Sequence, residues 1–115
     1  MIKIKRAYEP AERSDGFRIL VDRLWPRGIS KAKAKLDLWL KDIGPSTQLR
    51  KWFGHDPKRW KAFRSRYVKE LKNQKNSLSM LKLKSKMGIV TLIYGARDTE
   101  HNEAWVLKDK IDKMK

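Results

Sequence analysis

The chain has 115 residues, of which 40% are hydrophobic and 37% charged, and its formal net charge is +16. This length allows one domain with a proper core, and the composition is that of a globular protein. The absence of cysteine excludes thiolate catalysis, disulfide bonds and cysteine-ligated zinc. No apolar run is long enough to span a membrane, and residues 1–5 lack the apolar core of a signal peptide, so we predict a cytoplasmic protein without a membrane partner.

The positive charge predicts attraction to polyanions, nucleic acid among them. The basic residues are spread from Lys3 to Lys115, with short lysine clusters only at residues 31–35 and 82–86. Solvated lysines on outward faces would give the same composition. Charge alone therefore leaves a nucleic-acid-binding module and a merely basic surface as alternatives.

The start of the chain predicts two strands of different character. Ile2 and Ile4 alternate with lysines, which indicates a half-buried strand near a sheet edge. Residues 6–16 are expected to form a polar loop. Residues 17–22, which are mostly apolar, indicate a strand that is buried on both faces. The loop is short for a parallel crossover, so the relative direction of the two strands stays open.

The next segment mixes short helices with one ambiguous stretch. Ser30 is a natural N-cap for one helical turn at residues 31–34. At residues 36–40 the leucines alternate as in a strand, although the segment also fits one face of a helix; we favour the strand. Ser46 is expected to cap a short helix that ends at Gly54.

The second half of the chain predicts three helices and one strand. Asp56, followed by a proline, is expected to start an amphipathic helix that runs to about residue 73. Asn76 or Ser77 is expected to cap the next helix, residues 89–94 indicate a second buried strand, and a last helix is expected to begin at Thr99.

This order of elements predicts an α/β fold in a single domain covering residues 1–115. We expect a small, mostly parallel sheet of about four strands with helices on both faces.

Both buried strands end in polar loops, at residues 22–28 and 95–102. If the strands are parallel neighbours, both loops lie at the sheet edge where open α/β sheets hold ligands. The predicted catalytic residues are Asp98 and His101, and the predicted ligand-binding residues are Arg23, Trp25, Arg27, His55, Arg97 and Asn102.

The chemistry of these residue types favours a small anion. A guanidinium offers two parallel donors to a phosphate or carboxylate, and a helix that began at Thr99 would direct free backbone N–H groups at the same ligand. Asp98 and His101 lie three residues apart, as an acid–base pair on one helical turn would. Asn102 could orient either of them.

Each candidate also has a structural alternative. These are a buried ion pair of Asp22 with Arg23 or Arg27, a helix cap at Asp98 or Thr99 with His101 bound in its first turn, core packing of Trp25, and a local turn hydrogen bond from His55. The two histidines show no metal-ligand spacing, and glycine-rich cofactor or nucleotide loops are missing, so we predict neither a metal nor a cofactor.

Four motifs, at residues 15–18, 21–28, 52–57 and 94–98, the last followed by His101 and Asn102, resemble the YeaO-like family, also called domain of unknown function 488. The resemblance covers nearly the whole chain. Gly95 stands where the family usually has a small residue, and Arg97 where a lysine is common. The resemblance implies a compact cytosolic α/β domain of bacteria and archaea, and it carries over no established catalytic residue.

The sequence is therefore compatible with three functions. The chain is expected to bind a small phosphorylated or carboxylated ligand, either as a binding protein or as an enzyme that acts on it. The alternatives are a nucleic-acid-binding module and an interaction or scaffold protein. The oligomeric state stays open.

Overall fold

The sheet forms from four short segments, and the computed structural model describes all 115 residues around it. The strands are β1 (Ile2–Arg6), β2 (Phe17–Leu20), β3 (Leu38–Trp39) and β4 (Val90–Tyr94). They lie in the order β1-β4-β2-β3, and every neighbouring pair is parallel. This confirms the predicted parallel sheet of four strands and shows that β1 and β2 run in the same direction.

β4 is the central strand that links the two halves of the sheet. All five of its residues are buried, as expected for a strand covered on both faces. Val90 lies opposite Ile2 of β1 on one side and Phe17 of β2 on the other. β1 occupies the edge that its alternating sequence predicts.

Five helices follow from the capping and periodic signals. They are α1 (Lys31–Ala34), α2 (Thr47–Phe53), α3 (Trp60–Glu70), α4 (Lys75–Met87) and α5 (Glu103–Asp112). α4 and α5 contact the sheet directly, α3 packs on α5, and α2 packs on α3. Together they cover the sheet face that carries Ile19, Val21 and Leu92, and this side holds the main core. None of the helices combines the length and the apolarity that crossing a membrane requires.

The other sheet face is covered by much less structure. Leu20 and Ile93 pack there against Trp25 and Trp39, which belong to the segment that follows β2 and to β3. The only helix on this side is the single turn α1, whose Ala34 carbonyl accepts hydrogen bonds from Arg18 of β2. Helices thus lie on both faces, as predicted, but in very unequal amounts.

Most predicted helix ends are confirmed by their hydrogen bonds. The Ser30 and Ser46 side chains accept from backbone N–H groups in the first turns of α1 and α2. Asp56 caps a 3-10 turn at Pro57–Arg59 that leads into α3. The predicted cap at Asn76 or Ser77 is wrong, because the chain passes from the 3-10 turn Leu71–Asn73 almost directly into α4 and leaves no separate polar cap.

Candidate functional site

A concave cavity of about 220 Å³ lies at the carboxyl ends of β2 and β4. Its charged and polar lining consists of Asp22, Arg23, Arg27, Arg50, His55, His101, Asn102 and Glu103. Its apolar wall includes Trp25, Pro26, Phe53 and Phe63. The cavity therefore gathers residues from both polar loops and from α2.

Asp22 joins the two loops. Its Oδ2 accepts a hydrogen bond of 2.7 Å from the backbone N–H of Gly95. A Cβ atom at position 95 would lie 3.0 Å from that same oxygen, so a side chain there would press against the hydrogen bond. The glycine is thus explained by the close approach of the two strand ends.

Arg23 is held by the scaffold. Its Nε donates to the carbonyl of Pro45 at 3.0 Å and its Nη2 to the carbonyl of Gly44 at 2.9 Å. Its nearest carboxylate is that of the exposed Asp42, at 3.8 Å. The alternative of an ion pair between Asp22 and Arg23 or Arg27 is wrong, since no guanidinium nitrogen of either arginine lies within 4.0 Å of a carboxylate oxygen of Asp22.

Arg27 and Arg50 bring cationic groups without protein partners. The Arg27 side chain is exposed, and its loop is fixed by the Tyr8 hydroxyl, which donates to the Arg27 carbonyl at 2.9 Å. Arg50, on α2, makes neither an ion pair nor a side-chain hydrogen bond, and its Nε is buried without a partner. Arg50 was missed by the sequence analysis, and it is the arginine in this cavity whose Nε is buried without a hydrogen-bond partner.

Asp98 forms a local turn outside the cavity. Its Oδ1 accepts from the N–H groups of Glu100 and His101, and its Oδ2 lies 2.9 Å from Nδ1 of His101. The Glu100 N–H and then the His101 side chain lower the pKa of Asp98. His101 is thus bound to Asp98 as the structural alternative expected, but the helix cap that it placed at Asp98 or Thr99 is wrong, because the helix is capped by Asn102. Of Asp98 and His101, only His101 lines the cavity.

The last helix begins at Glu103, so the predicted start at Thr99 is wrong. Asn102 is its N-cap: its Oδ1 accepts from the Trp105 N–H, while its Nδ2 donates to the Asp98 carbonyl at 3.0 Å. The turn centred on Asp98 uses the residues that were expected to form the first helical turn. Asn102 is only 2% exposed and acts as a fixed wall of the cavity.

The remaining predicted residues divide between wall and periphery. Trp25 lines the cavity, yet its Nε1 donates to the Ile29 carbonyl at 2.7 Å and its ring packs edge-on against Trp39. His55 is exposed at the cavity mouth in a left-handed conformation, with φ of 58°. Arg97 is exposed and does not line the cavity, so the structure does not group it with Arg23 and Arg27.

Glu103 is the second residue that the sequence analysis missed. It lies at the start of α5, and its Oε1 is buried without a conventional hydrogen-bond partner. Burial first, and then the charge and hydrogen bond of Asp22, raise the pKa of Glu103 well above its ordinary value. In the sequence, Glu103 could have been noticed only from its position one residue after the helix cap Asn102. Its place beside Asp22 depends on the fold. No cluster of three His, Asp or Glu side chains could hold a metal.

Several uncharacterized bacterial proteins are similar to this chain over nearly its whole length. The chain is 48% identical over 108 residues to uncharacterized protein YeaO of Escherichia coli, covering 94% of each chain. It is 38% identical over 106 residues to uncharacterized proteins Rv3073c of Mycobacterium tuberculosis and Mb3100c of Mycobacterium bovis, covering 92% of this chain and 89% of theirs. No solved structure matches.

A family model described as the inactive DUF488-N3 subclade matches residues 1–114. This match agrees with the motifs that border the cavity at residues 21–28 and 94–98. The chain thus belongs to the DUF488 family, within its inactive N3 subclade.

Proposed function

We propose that the protein binds a small anionic molecule, phosphorylated or carboxylated, in the cavity at the carboxyl ends of β2 and β4. One observation carries the proposal: the guanidinium of Arg50 lines this cavity with a buried Nε and no protein partner. A buried donor without a partner costs free energy, and a bound anion would supply the missing acceptor.

The balance of charges in the cavity supports an anion. Arg27 and Arg50 have free guanidinium groups, while Arg23 is tied to two backbone carbonyls. Of the two carboxyl groups, Glu103 has a pKa raised by burial, which favours its neutral form and reduces the negative charge that opposes an anion. Two free guanidinium groups can bind a phosphate or carboxylate through parallel hydrogen bonds.

Binding without turnover suits the chain better than catalysis. The matching subclade is described as inactive. In the protein itself, both carboxylate oxygens of Asp98 are occupied by the turn that holds His101, and Asp98 does not reach the cavity. His101 is therefore proposed as a wall residue that contacts the ligand, without an acid–base role.

Thermal unfolding with added inorganic phosphate tests the proposal. Phosphate should raise the Tm of the wild-type protein through mass action, and Arg50→Ala should abolish most of that rise while leaving the Tm of the free protein nearly unchanged. Arg97→Ala is the matched control, because it removes the same charge from an exposed site outside the cavity and should keep the response.

The comparison of these two variants separates a specific site from general screening of the +16 charge. An equal phosphate response in the wild type and both variants would contradict an anion site at Arg50. So would the absence of any response in the wild type to both phosphate and acetate.

A nucleic-acid surface is the second candidate, and a basic groove on α3 favours it. Four of the six residues that line this shallow groove are cationic, namely Lys61, Arg64, Lys69 and Lys72. Arg64 also pairs with Asp109 of α5, which fixes one side of the groove.

A salt titration tests this second candidate. Real recognition should persist at physiological salt and distinguish single-stranded from duplex DNA, with log affinity falling by about 0.9 per log unit of salt for each neutralised duplex phosphate. Lys61→Glu with Lys69→Glu should then weaken binding more than the same change at Lys31 and Lys33 on the opposite sheet face. Indiscriminate binding that vanishes by physiological salt would eliminate this function.

A further inference from the structure

Asp22 and Glu103 form a carboxyl pair inside the cavity. Asp22 follows β2 and Glu103 begins α5, both residues line the cavity, and the charge and hydrogen bond of Asp22 contribute to the raised pKa of Glu103. A hydrogen bond between two carboxyl groups requires a proton on one of them. The buried Oε1 of Glu103 has no other partner, so a shared proton accounts for its apparent lack of a hydrogen bond.

The surroundings decide which of the two groups carries the proton. Oδ2 of Asp22 already acts as an acceptor, since it takes a hydrogen bond of 2.7 Å from the Gly95 N–H. Burial raises the pKa of Glu103 and so favours its neutral form. The pair therefore presents a carboxylate acceptor beside a carboxylic acid.

A neutral hydroxyl matches such a pair better than other polar groups do. A hydroxyl both donates and accepts, so it can bond to Asp22 and to the acid group of Glu103. An ammonium group only donates, and the cationic Arg27 and Arg50 nearby oppose its charge. An alkyl group can neither donate to Asp22 nor accept from the acid group of Glu103.

The size and wall of the cavity agree with a small polyol. Its volume of about 220 Å³ exceeds that of an engineered cavity of about 150 Å³ that admits benzene. Phe53 and Phe63 contribute aromatic surface to the wall. The apolar C–H face of a sugar ring can pack against such a surface while its hydroxyls face the polar lining.

We propose that the ligand of this cavity is a phosphorylated sugar or polyol, whose hydroxyls bind Asp22 and Glu103 while its phosphate binds Arg50. This inference rests on the proposed function and specifies the class of ligand. It assigns to the two carboxyl groups a role in selecting the ligand.

Isothermal titration calorimetry with three phosphates tests the inference. The probes are inorganic phosphate, n-pentyl phosphate and ribose 5-phosphate, of which the last two have the same number of carbon atoms. The wild-type protein should bind ribose 5-phosphate at least tenfold more tightly than either of the others, because hydroxyls bound to a charged group form strong hydrogen bonds.

The isosteric double variant Asp22→Asn with Glu103→Gln sharpens the assignment. It removes the carboxylate and the shared proton at nearly constant shape, so the preference for ribose 5-phosphate should shrink toward that of pentyl phosphate. Its affinity for inorganic phosphate should be kept or increased, since a negative charge is lost from the cavity. Arg50→Ala should weaken the binding of all three probes.

The possible failures are distinguishable. If pentyl phosphate binds the wild-type protein as tightly as ribose 5-phosphate, the sugar inference is overturned while anion binding stands, and this result does not depend on the folding of any variant. A preference that survives in the double variant overturns the role of Asp22 and Glu103. If no probe binds, the proposed function and the inference both fail.

Discussion

Buried arginine and carboxyl groups lie near both ends of β2, but they have hydrogen-bond partners near one end and lack them near the other. Near the amino end, Arg18 Nη1 lies 2.5 Å from Asp15 Oδ2, and Lys5 Nζ lies 3.0 Å from Asp15 Oδ1. The remaining Arg18 nitrogens donate to the Ala34 carbonyl. Beyond the carboxyl end, the buried Nε of Arg50 and the buried Oε1 of Glu103 have no hydrogen-bond partner in the protein.

The difference separates scaffold from site. A buried polar network whose members are all satisfied fixes one arrangement of the chain, and here it fastens the 3-10 turn Arg13–Asp15 and α1 to the sheet. Groups left unsatisfied in a cavity are instead available to a ligand. Buried charged residues therefore stabilise the fold near one end of β2 and are available to a ligand near the other end.

The largest expected effect comes from breaking the satisfied end. Arg18 is 4% exposed, so Arg18→Ala leaves Asp15 buried with one cation fewer and should lower the free energy of unfolding by about 3–5 kcal/mol. Urea denaturation followed by circular dichroism measures this loss. Arg13→Ala, at an exposed arginine of the same segment, is the control and should change stability by about 0.5 kcal/mol or less. Similar small losses in both variants would refute the scaffold role.

A smaller effect should distinguish the two ends by pH. Burial first, and then the charge and hydrogen bond of Asp22, raise the pKa of Glu103. Between its ordinary value of 4.5 and its folded-state value, the folded chain therefore binds more protons than the unfolded chain. The free energy of unfolding should therefore fall as pH rises through this interval, with a slope of up to about 1.4 kcal/mol per pH unit.

Asp15 should behave in the opposite way. Burial alone would raise its pKa, but the Glu12 N–H, Lys5 and Arg18 outweigh burial and lower it. Its contribution is therefore present above its ordinary pKa of 3.8 and is lost as pH falls through the lowered value.

The variant Glu103→Gln separates these two contributions in urea denaturation curves measured across pH. It should remove the decline that accompanies rising pH and keep the loss of stability in acid. Glu100→Gln, at an exposed residue of the same loop, should keep both. If Glu103→Gln leaves the decline unchanged, Glu103 is not the group that retains the proton.

The sequence predicted the secondary structure and the sheet better than the residues that line the cavity. The strands and the caps at Ser30 and Ser46 depend on neighbouring residues, whose spacing is visible in the chain. The start of α5 was misplaced because Asp98 satisfies the backbone N–H groups of its own turn, which leaves Asn102 to cap the helix.

The cavity itself depends on tertiary position. Arg97 adjoins a buried strand and was predicted to bind the ligand, whereas Arg50 lies on a short helix with no motif around it. The path of the loops leaves Arg97 outside and places Arg50 and Phe53, one helical turn apart, at the cavity. The residues beside these two arginines, Lys51 in one case and Asp98 in the other, do not predict which of them lies at the cavity.

The central position of β4 also determines when the strands of the sheet can pair while the chain is being synthesised. β1 and β2 both pair with β4 and not with each other, so while the ribosome is adding the first 89 residues only the two-residue pairing of β2 with β3 is possible. The sheet closes after Val90–Tyr94 has emerged, and Gly95 and Glu103 reach Asp22 later still. Non-local pairing of this kind is slow to form and leaves apolar strands exposed in the meantime. Until β4 has emerged, the nascent chain thus carries β1 without a partner strand and β2 with β3 as its sole partner, and the strong positive charge would favour solubility in this period.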